Sequence, residues 1–435
     1  MTIALAPRTA APTPPPPAQR DTGIDFVRAL CVLGVVLLHS IMVGVTLTAS
    51  GPAFTNASDG TSWIAPLSWM LQVMPLFFVI GGFSGLLAYR RLRSRGGTAT
   101  AFVAGRLHRL LRPALFTIAV VGISLAVLTI VGVPADIIVT AGFRYGQPLW
   151  FLGVFVLCQA LLPLLAAAHE RAPLRTIALL ALAAVVVDAL RAASGFEGLG
   201  FLNLAFVWMA LQQLGFFLAD GRIDTLSRRV RMLAIRAATL LLALTFLTGV
   251  YSPDLIANIN PPTAALILVG VIHTGALSLN RDRLERFSRR PQPAAFTNFV
   301  TRRAMTIYLW HMPVLLAMAG ITATGALLTG IPLPALDSVA WWAGRPLWLA
   351  TALILTAVVA MAFTRFETQA APEATTSAPR IVLGSLVGLI GIVLLLALSA
   401  SVATIVIAVL LIAGALRLAR SAAALPVPRA AFGIA

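Results

Sequence analysis

Long apolar stretches separated by short, arginine-bearing polar segments set the pattern of this chain. They run near residues 24–46, 67–89, 114–133, 148–168, 174–191, 199–219, 233–250, 262–279, 304–328 and 342–364, each bounded by Arg, Pro or Gly. About 20 apolar residues suffice for a helix to cross a bilayer, so each stretch predicts one transmembrane helix. Residues 381–416 carry no charge at all. As one helix they would extend roughly 54 Å at 1.5 Å per residue, against a hydrocarbon core of about 30 Å. They therefore predict two helices that turn near Ser399–Ser401. The fold class that follows is all-α: a polytopic membrane helix bundle with about ten core transmembrane helices plus a C-terminal two-helix hairpin.

Arginine placement gives the bundle a direction, because cytoplasmic loops collect basic residues. With the N-terminus inside, the inner loops hold Arg90, Arg91, Arg93, Arg95, Arg106, Arg109 and Arg112, then Arg171 and Arg175, Arg222 to Arg236, Arg281 to Arg303, Arg365 and Arg380. The outer side holds Arg144, Arg191 and Arg345 alone, and the outer segments 48–63 and 251–262 have no basic residue. Shifting the frame by one span reverses the bias. Both termini are thus expected in the cytoplasm, in a multi-pass protein of the inner (plasma) membrane.

Composition agrees with this picture. Of 435 residues, 59% are hydrophobic and 11% charged, where soluble domains average about 45–50% and roughly 25%. An ordinary soluble enzyme and a disordered chain are both excluded. The net charge of +17 comes from 32 basic residues, all Arg, against 15 acidic ones. Those arginines are spread over several inner loops without an aromatic-interleaved patch, so no nucleic-acid partner is expected; the lipid bilayer is the expected surroundings. Cys31 and Cys158 both lie in apolar runs, which argues for buried small hydrophobes and against a disulfide framework. Residues 1–20, rich in Pro, Ala and Thr, read as a disordered cytoplasmic tail.

Ionisable groups inside spans are costly and face a polar interior or a pathway. In the first span, Arg28 and His39 stand eleven residues apart, on one helix face and roughly 16 Å apart along the axis. Asp25 lies near that face, three residues before Arg28. His39 is either a general base, its imidazole titrating nearest neutrality, or a structural histidine bonded to a neighbouring helix. Arg106, Arg109 and Arg112 recur every three residues on an amphipathic segment that Pro113 is expected to bend or end. They suit an interfacial helix, or a cradle for a phosphorylated cytoplasmic donor. Tyr308 and His311 share a face of the ninth span, and His273 sits at similar depth in the eighth. Asp188 and Arg191 are expected to pair near the outer end of the fifth. Gln72, Gln159, Gln212 and Gln213 add polar atoms to the interior.

Several phrases together resemble the membrane acyltransferase-3 family of bacterial integral-membrane O-acyltransferases. DFVRALCVLGVVLLH (25–39) fits its Arg, ten residues, His signature, and MPLFFVIGGFSG (74–85) is similar to its FF-x-x-SGF segment. GRLHRLLRP (105–113) is similar to its Arg-x-x-Arg motif and PLWFLGVFVLCQALLPLL (148–165) to its Leu-Trp-Phe-Leu helix. TIYLWHMPVLL (306–316) and RFE (365–367) resemble its late Tyr-Leu-x-His-x-Pro and Arg-x-x-Glu-Pro segments. The phrases keep the family's order. Gly82 stands where many relatives have Ser, Arg112 is offset before the proline, and RFE lacks the usual spacing and the following Pro.

The resemblance implies an acyltransferase-3-like transmembrane domain over 21–367, a linker over 368–380, the extra hairpin over 381–417 and a cytoplasmic tail over 418–435. It implies transfer of an acyl group, acetyl in the simplest case, from cytoplasmic acyl-CoA to a hydroxyl of an envelope glycan, glycolipid or natural-product sugar. Acyl-CoA would be a co-substrate, with no permanently bound cofactor and no metal. His39 would deprotonate the acceptor or carry the acyl group, with Asp25 and Arg28 positioning each other at the entry. Arg106, Arg109 and Arg112 would bind donor phosphates, and Tyr308, His311 and Glu367 would line the substrate path together with Trp150, whose ring would stack on a sugar or pack in the core. The rival reading is a transporter or flippase, whose intramembrane His and Asp would relay protons; a membrane scaffold is a third.

Overall fold

The computed structural model describes residues 21–48 and 51–421; the expected tail over 1–20 and most of that over 418–435 lie outside them. Helix α1 (Thr22–Met42) leads into a two-stranded antiparallel hairpin, β1 (Val43–Thr48) and β2 (Gly51–Asn56). Then come α2 (Ile64–Leu71), α3 (Met74–Ser94), α4 (Ala99–Ile130), α5 (Ala135–Gly146) and α6 (Leu149–Arg171). The middle of the chain forms α7 (Pro173–Ser194), α8 (Asn203–Ala219), α9 (Arg228–Leu247), α10 (Ala265–Ser288) and α11 (Pro291–Thr301). The last elements are α12 (Ala304–Thr329), α13 (Val339–Phe363), the single turn α14 (Arg365–Thr368), α15 (Ala378–Ala397) and α16 (Val402–Leu418). Among the described residues, 10 helical stretches are long and apolar enough to cross a membrane, and Val402–Leu418 is a shorter apolar helix. The protein is a polytopic helical membrane bundle.

Local sequence sets the helix ends. Side chains of Asp21, Thr98, Ser227, Ser338, Ser377 and Ser401 accept from backbone N–H groups one turn inside their helices, satisfying donors that helix starts leave unpaired. Gly195 and Gly330 close α7 and α12 in the left-handed conformation that glycine adopts without a Cβ penalty.

Three expectations are corrected. The first apolar stretch does not stay helical to residue 46: VGVTLT from Val43 is strand, because its β-branched alternation pairs with β2 and packs Val45 against Ala319 and Ala323 of α12. Pro113 does not end its helix; α4 runs through it for 32 residues. The lost backbone bond is tolerated where Pro113 is buried between the fully buried Leu111 and Ala114, as is common in membrane helices. Asp188 does not pair with Arg191. It accepts from Asn203 Nδ2 (2.9 Å), Tyr251 Oη (2.7 Å) and the Ala264 N–H (2.8 Å), tying α7 to the start of α8 and of α10, while Arg191 pairs with Glu197 at 3.4 Å.

Close backbone approach holds the centre together. A Cβ on Gly82 of α3 would lie 2.1 Å from the Gln212 carbonyl oxygen of α8, and one on Gly215 of α8 would lie 2.0 Å from that of Val79. These two helices touch through glycine, as small residues allow in membranes. A serine at 82, as in many members of the family this chain resembles, would not fit here. The terminal hairpin is equally embedded: a Cβ on Gly142 of α5 would meet the Ala400 carbonyl oxygen at 1.9 Å, and one on Gly122 of α4 would meet Ile405 at 2.5 Å. The linker before it is pinned by Thr375 N–H to Ala419 O (3.1 Å) and Ser421 N–H to Glu373 O (2.8 Å).

Candidate functional site

His39 stands in the last turn of α1, with Nδ1 2.9 Å from the Val35 carbonyl oxygen. A carbonyl only accepts, so the proton sits on Nδ1 and Nε2 carries the lone pair. The His311 ring of α12 lies 5.0 Å from it, centroid to centroid, tilted by 52°. His311 repeats the arrangement, donating from Nδ1 to Tyr308 O at 2.5 Å, and its fully buried Nε2 has no hydrogen-bond partner among the described residues. Two imidazoles from different helices thus face one another, both in the same tautomer.

Two cavities meet at His39. The first, about 130 Å³, follows α1 from Val32 to Met42 and is closed by Phe77, Phe151, Met305 and Tyr308. Among the described residues, no formally charged side chain lines it. The second, about 210 Å³, lies on the β-hairpin side and is lined by His39, Thr55, Asn56, Arg144, Gln147 and Asn260 together with apolar residues. Both share Met42, Pro148, Trp150, Ile256 and Ile259. Trp150 stacks on Trp208 at 5.3 Å while lining both cavities. Tyr308 donates to Pro148 O at 2.6 Å, joining α12 to the start of α6. Gln72 donates to Leu255 O at 2.7 Å and holds the 251–262 loop over the site.

Three turns of α1 away from His39, Arg28 pairs with Asp25 at 3.1 Å and donates to Ser84 Oγ of α3. Arg106 and Arg109 of α4 are near enough for their charges to act on one another, and Arg106 also feels Arg28. Arg106 stacks over the Phe102 ring at 4.9 Å, and Arg109 is exposed. This end of the bundle therefore concentrates positive charge where α1 and α4 begin.

Two of the expected site residues stand apart. Arg112 donates to Gln369 O (3.0 Å), Gln369 Oε1 (3.2 Å) and Ala370 O (3.1 Å), clasping the linker. Glu367 accepts from the Met305 N–H (3.3 Å), the Thr306 N–H (3.0 Å) and Thr306 Oγ1 (2.9 Å). It caps the start of α12 one turn before Tyr308, a favourable place for a carboxylate. Burial pushes its carboxyl above the ordinary range, against the pull of those donors. Its link to the site runs through the helix it holds.

Sequence reasoning missed the walls of the second cavity, since Thr55, Gln147 and Asn260 lie in segments without hydrophobic periodicity. It also missed a lock at the arginine-rich end. The buried His169 of α6 sits between Asp220 (2.9 Å) and Gln213 (2.7 Å), and Arg90 of α3 reaches the same Asp220 at 2.5 Å. His273 is half-buried in α10 with Nδ1 lacking a partner among the described residues, and it lines neither cavity.

A family model described as an acyltransferase domain, the acyltransferase-3 model, matches residues 21–365. It thus takes in α1 to α13 and stops short of Glu367 and the terminal hairpin. No curated protein and no solved structure matches the chain.

Proposed function

The chain belongs to the acyltransferase-3 family, and on that premise we propose that it is a membrane O-acyltransferase using cytoplasmic acyl-CoA, acetyl-CoA in the simplest case. The acceptor is a hydroxyl of an envelope glycan, glycolipid or natural-product sugar. The observation that carries this reading is that His39 lines both cavities. One runs along α1 from Val32, one turn past Arg28, and so lies toward the arginine-rich end, the end that the positive-inside bias favours for the cytoplasm. The other lies beneath the β-hairpin on the opposite side.

Arg106 and Arg109, with Arg28 beside them, receive the donor's phosphates, for which guanidinium forks are suited. The apolar first cavity takes the uncharged arm and the acyl thioester. At its far end His39 Nε2 accepts the proton of the acceptor hydroxyl as the oxygen attacks the thioester carbonyl. The new C–O bond forms, the C–S bond breaks, and the proton passes to the departing thiolate, giving ester and free CoA. His311 lies buried behind His39 and Tyr308 fixes α12 to α6, so the two imidazoles keep their spacing.

Sealed inverted and right-side-out vesicles supplied separately with labelled acetyl-, succinyl- and long-chain acyl-CoA test the reading. Inverted vesicles should release CoA and gain esterified label from one of these donors. Equal release in both orientations, or none from any donor, would contradict it.

A further inference from the structure

We infer that the second cavity selects acceptors carrying an anionic group, a carboxylate or phosphate on the sugar, and that Arg144 receives it. This deepens the acyl-transfer reading and rests on it. The two cavities that meet at His39 differ in charge: among the described residues, no formally charged side chain lines the first, while Arg144 is the one such side chain lining the second, with no carboxylate.

The arginines on that side of the bundle make the contrast sharper. Arg191 is paired with Glu197 at 3.4 Å. Arg345 lies over the Trp341 and Trp348 rings at 4.0 and 5.0 Å and donates to Val43 O. Arg144 has neither arrangement. It is half-buried at the end of α5, its hydrogen bond goes to the neutral Gln147 Oε1 at 3.4 Å, and no described carboxylate lies within 4.0 Å. A guanidinium held in a concave wall without a counter-charge is the complement of a planar anion, which it can take through two parallel N–H donors. Thr55, Asn56 and Asn260 add neutral polar groups suited to the remaining hydroxyls. The acceptor is then held by its charge at Arg144 while its free hydroxyl faces His39.

Membranes bearing wild type, Arg144→Gln, Arg144→Lys or His39→Ala at matched levels are given the labelled acyl-CoA that the vesicle experiment identifies, with an envelope extract. Labelled products are then separated by anion exchange. The label should appear in the acidic fraction. Arg144→Gln should cut it about tenfold at low acceptor concentration, the scale of one charge-assisted contact, chiefly through KM, and Arg144→Lys should restore part of it, the part owed to charge rather than to the paired donors. Phosphatase treatment and carbodiimide amidation separate the sources: acidic product made neutral by phosphatase carried a phosphate monoester, and product made neutral by amidation carried a carboxylate. Label in neutral glycans, or an acidic fraction unchanged by Arg144→Gln, would overturn the inference. Label absent from wild type, or persisting in His39→Ala, would instead mark failure of the acyl-transfer reading and remove the ground on which the inference stands.

Discussion

Whether an imidazole can take a proton depends on which of its nitrogens is already engaged. In His39 and His311 alike a backbone carbonyl of their own helix accepts from Nδ1, which leaves the lone pair on Nε2 without help from a carboxylate. His39 borders both cavities, and His311, fully buried, lines neither. Replacing His311 by Ala should therefore lower the turnover number while leaving the acyl-CoA KM nearly unchanged, and the loss should be smaller than for His39→Ala; steady-state kinetics on detergent-solubilised protein would show it. The arginines separate in a similar way. If the donor's phosphates dock as proposed, Arg106→Gln and Arg109→Gln should raise the KM for acyl-CoA several-fold, the scale of one charge-assisted contact. Arg112→Gln should leave that KM alone and lower the melting temperature, since its guanidinium is engaged by Gln369 and Ala370. Three-residue spacing in the sequence could not tell these arginines apart. What separates them is whether the linker returns to cover the side chain, and that is a long-range contact.

At the scale of elements, α3 and α8 are in backbone contact through Gly82 and Gly215. Gly82→Ser should force them apart and destabilise the bundle by about 1–3 kcal/mol, the usual range for overpacking a filled interior; a lowered unfolding midpoint in detergent would report it. The ends of the same helices are held by the Arg90–Asp220–His169 lock. Burial works to raise the Asp220 carboxyl, but the hydrogen bonds from Arg90 and His169 outweigh it and hold it below the usual carboxylate range. The lock's contribution is then present above the ordinary Asp value of about 3.9 and lost as pH falls below it. Wild type should lose thermal stability over that acid window, and Asp220→Asn should be less stable above it and show a flatter profile. Helix existence was legible in the sequence, since twenty apolar residues have few alternatives in a bilayer. The strand at Val43 and the passage of α4 through Pro113 were not. Both depend on neighbours distant in sequence, namely α12 beneath Val45 and the packing around Leu111 and Ala114.

For the molecule as a whole, the terminal hairpin is built into the fold, because α5 meets the Ala400 turn at Gly142 and α4 meets α16 at Gly122. A chain ending at residue 367 should expose those glycine faces and aggregate in detergent, which size-exclusion chromatography would detect, even though the family match ends at residue 365. The charge-free stretch 381–416 announced two helices; their role as an inner wall could be seen only once the glycines of α4 and α5 had partners. The same holds for the site. Arg28 and His39 were legible as one face of α1, yet the cavities beside that face are made by α3, α6, α12 and the 251–262 loop. The central claim is that these elements bring donor and acceptor together at His39. It is tested most directly by measuring CoA release and ester formation from labelled acyl-CoA with wild type, His39→Ala and His39→Gln in membranes at matched expression. Both activities should fall together by at least about a hundredfold in the two variants, the scale of a lost general base. Transfer at the wild-type rate by either variant would contradict the account.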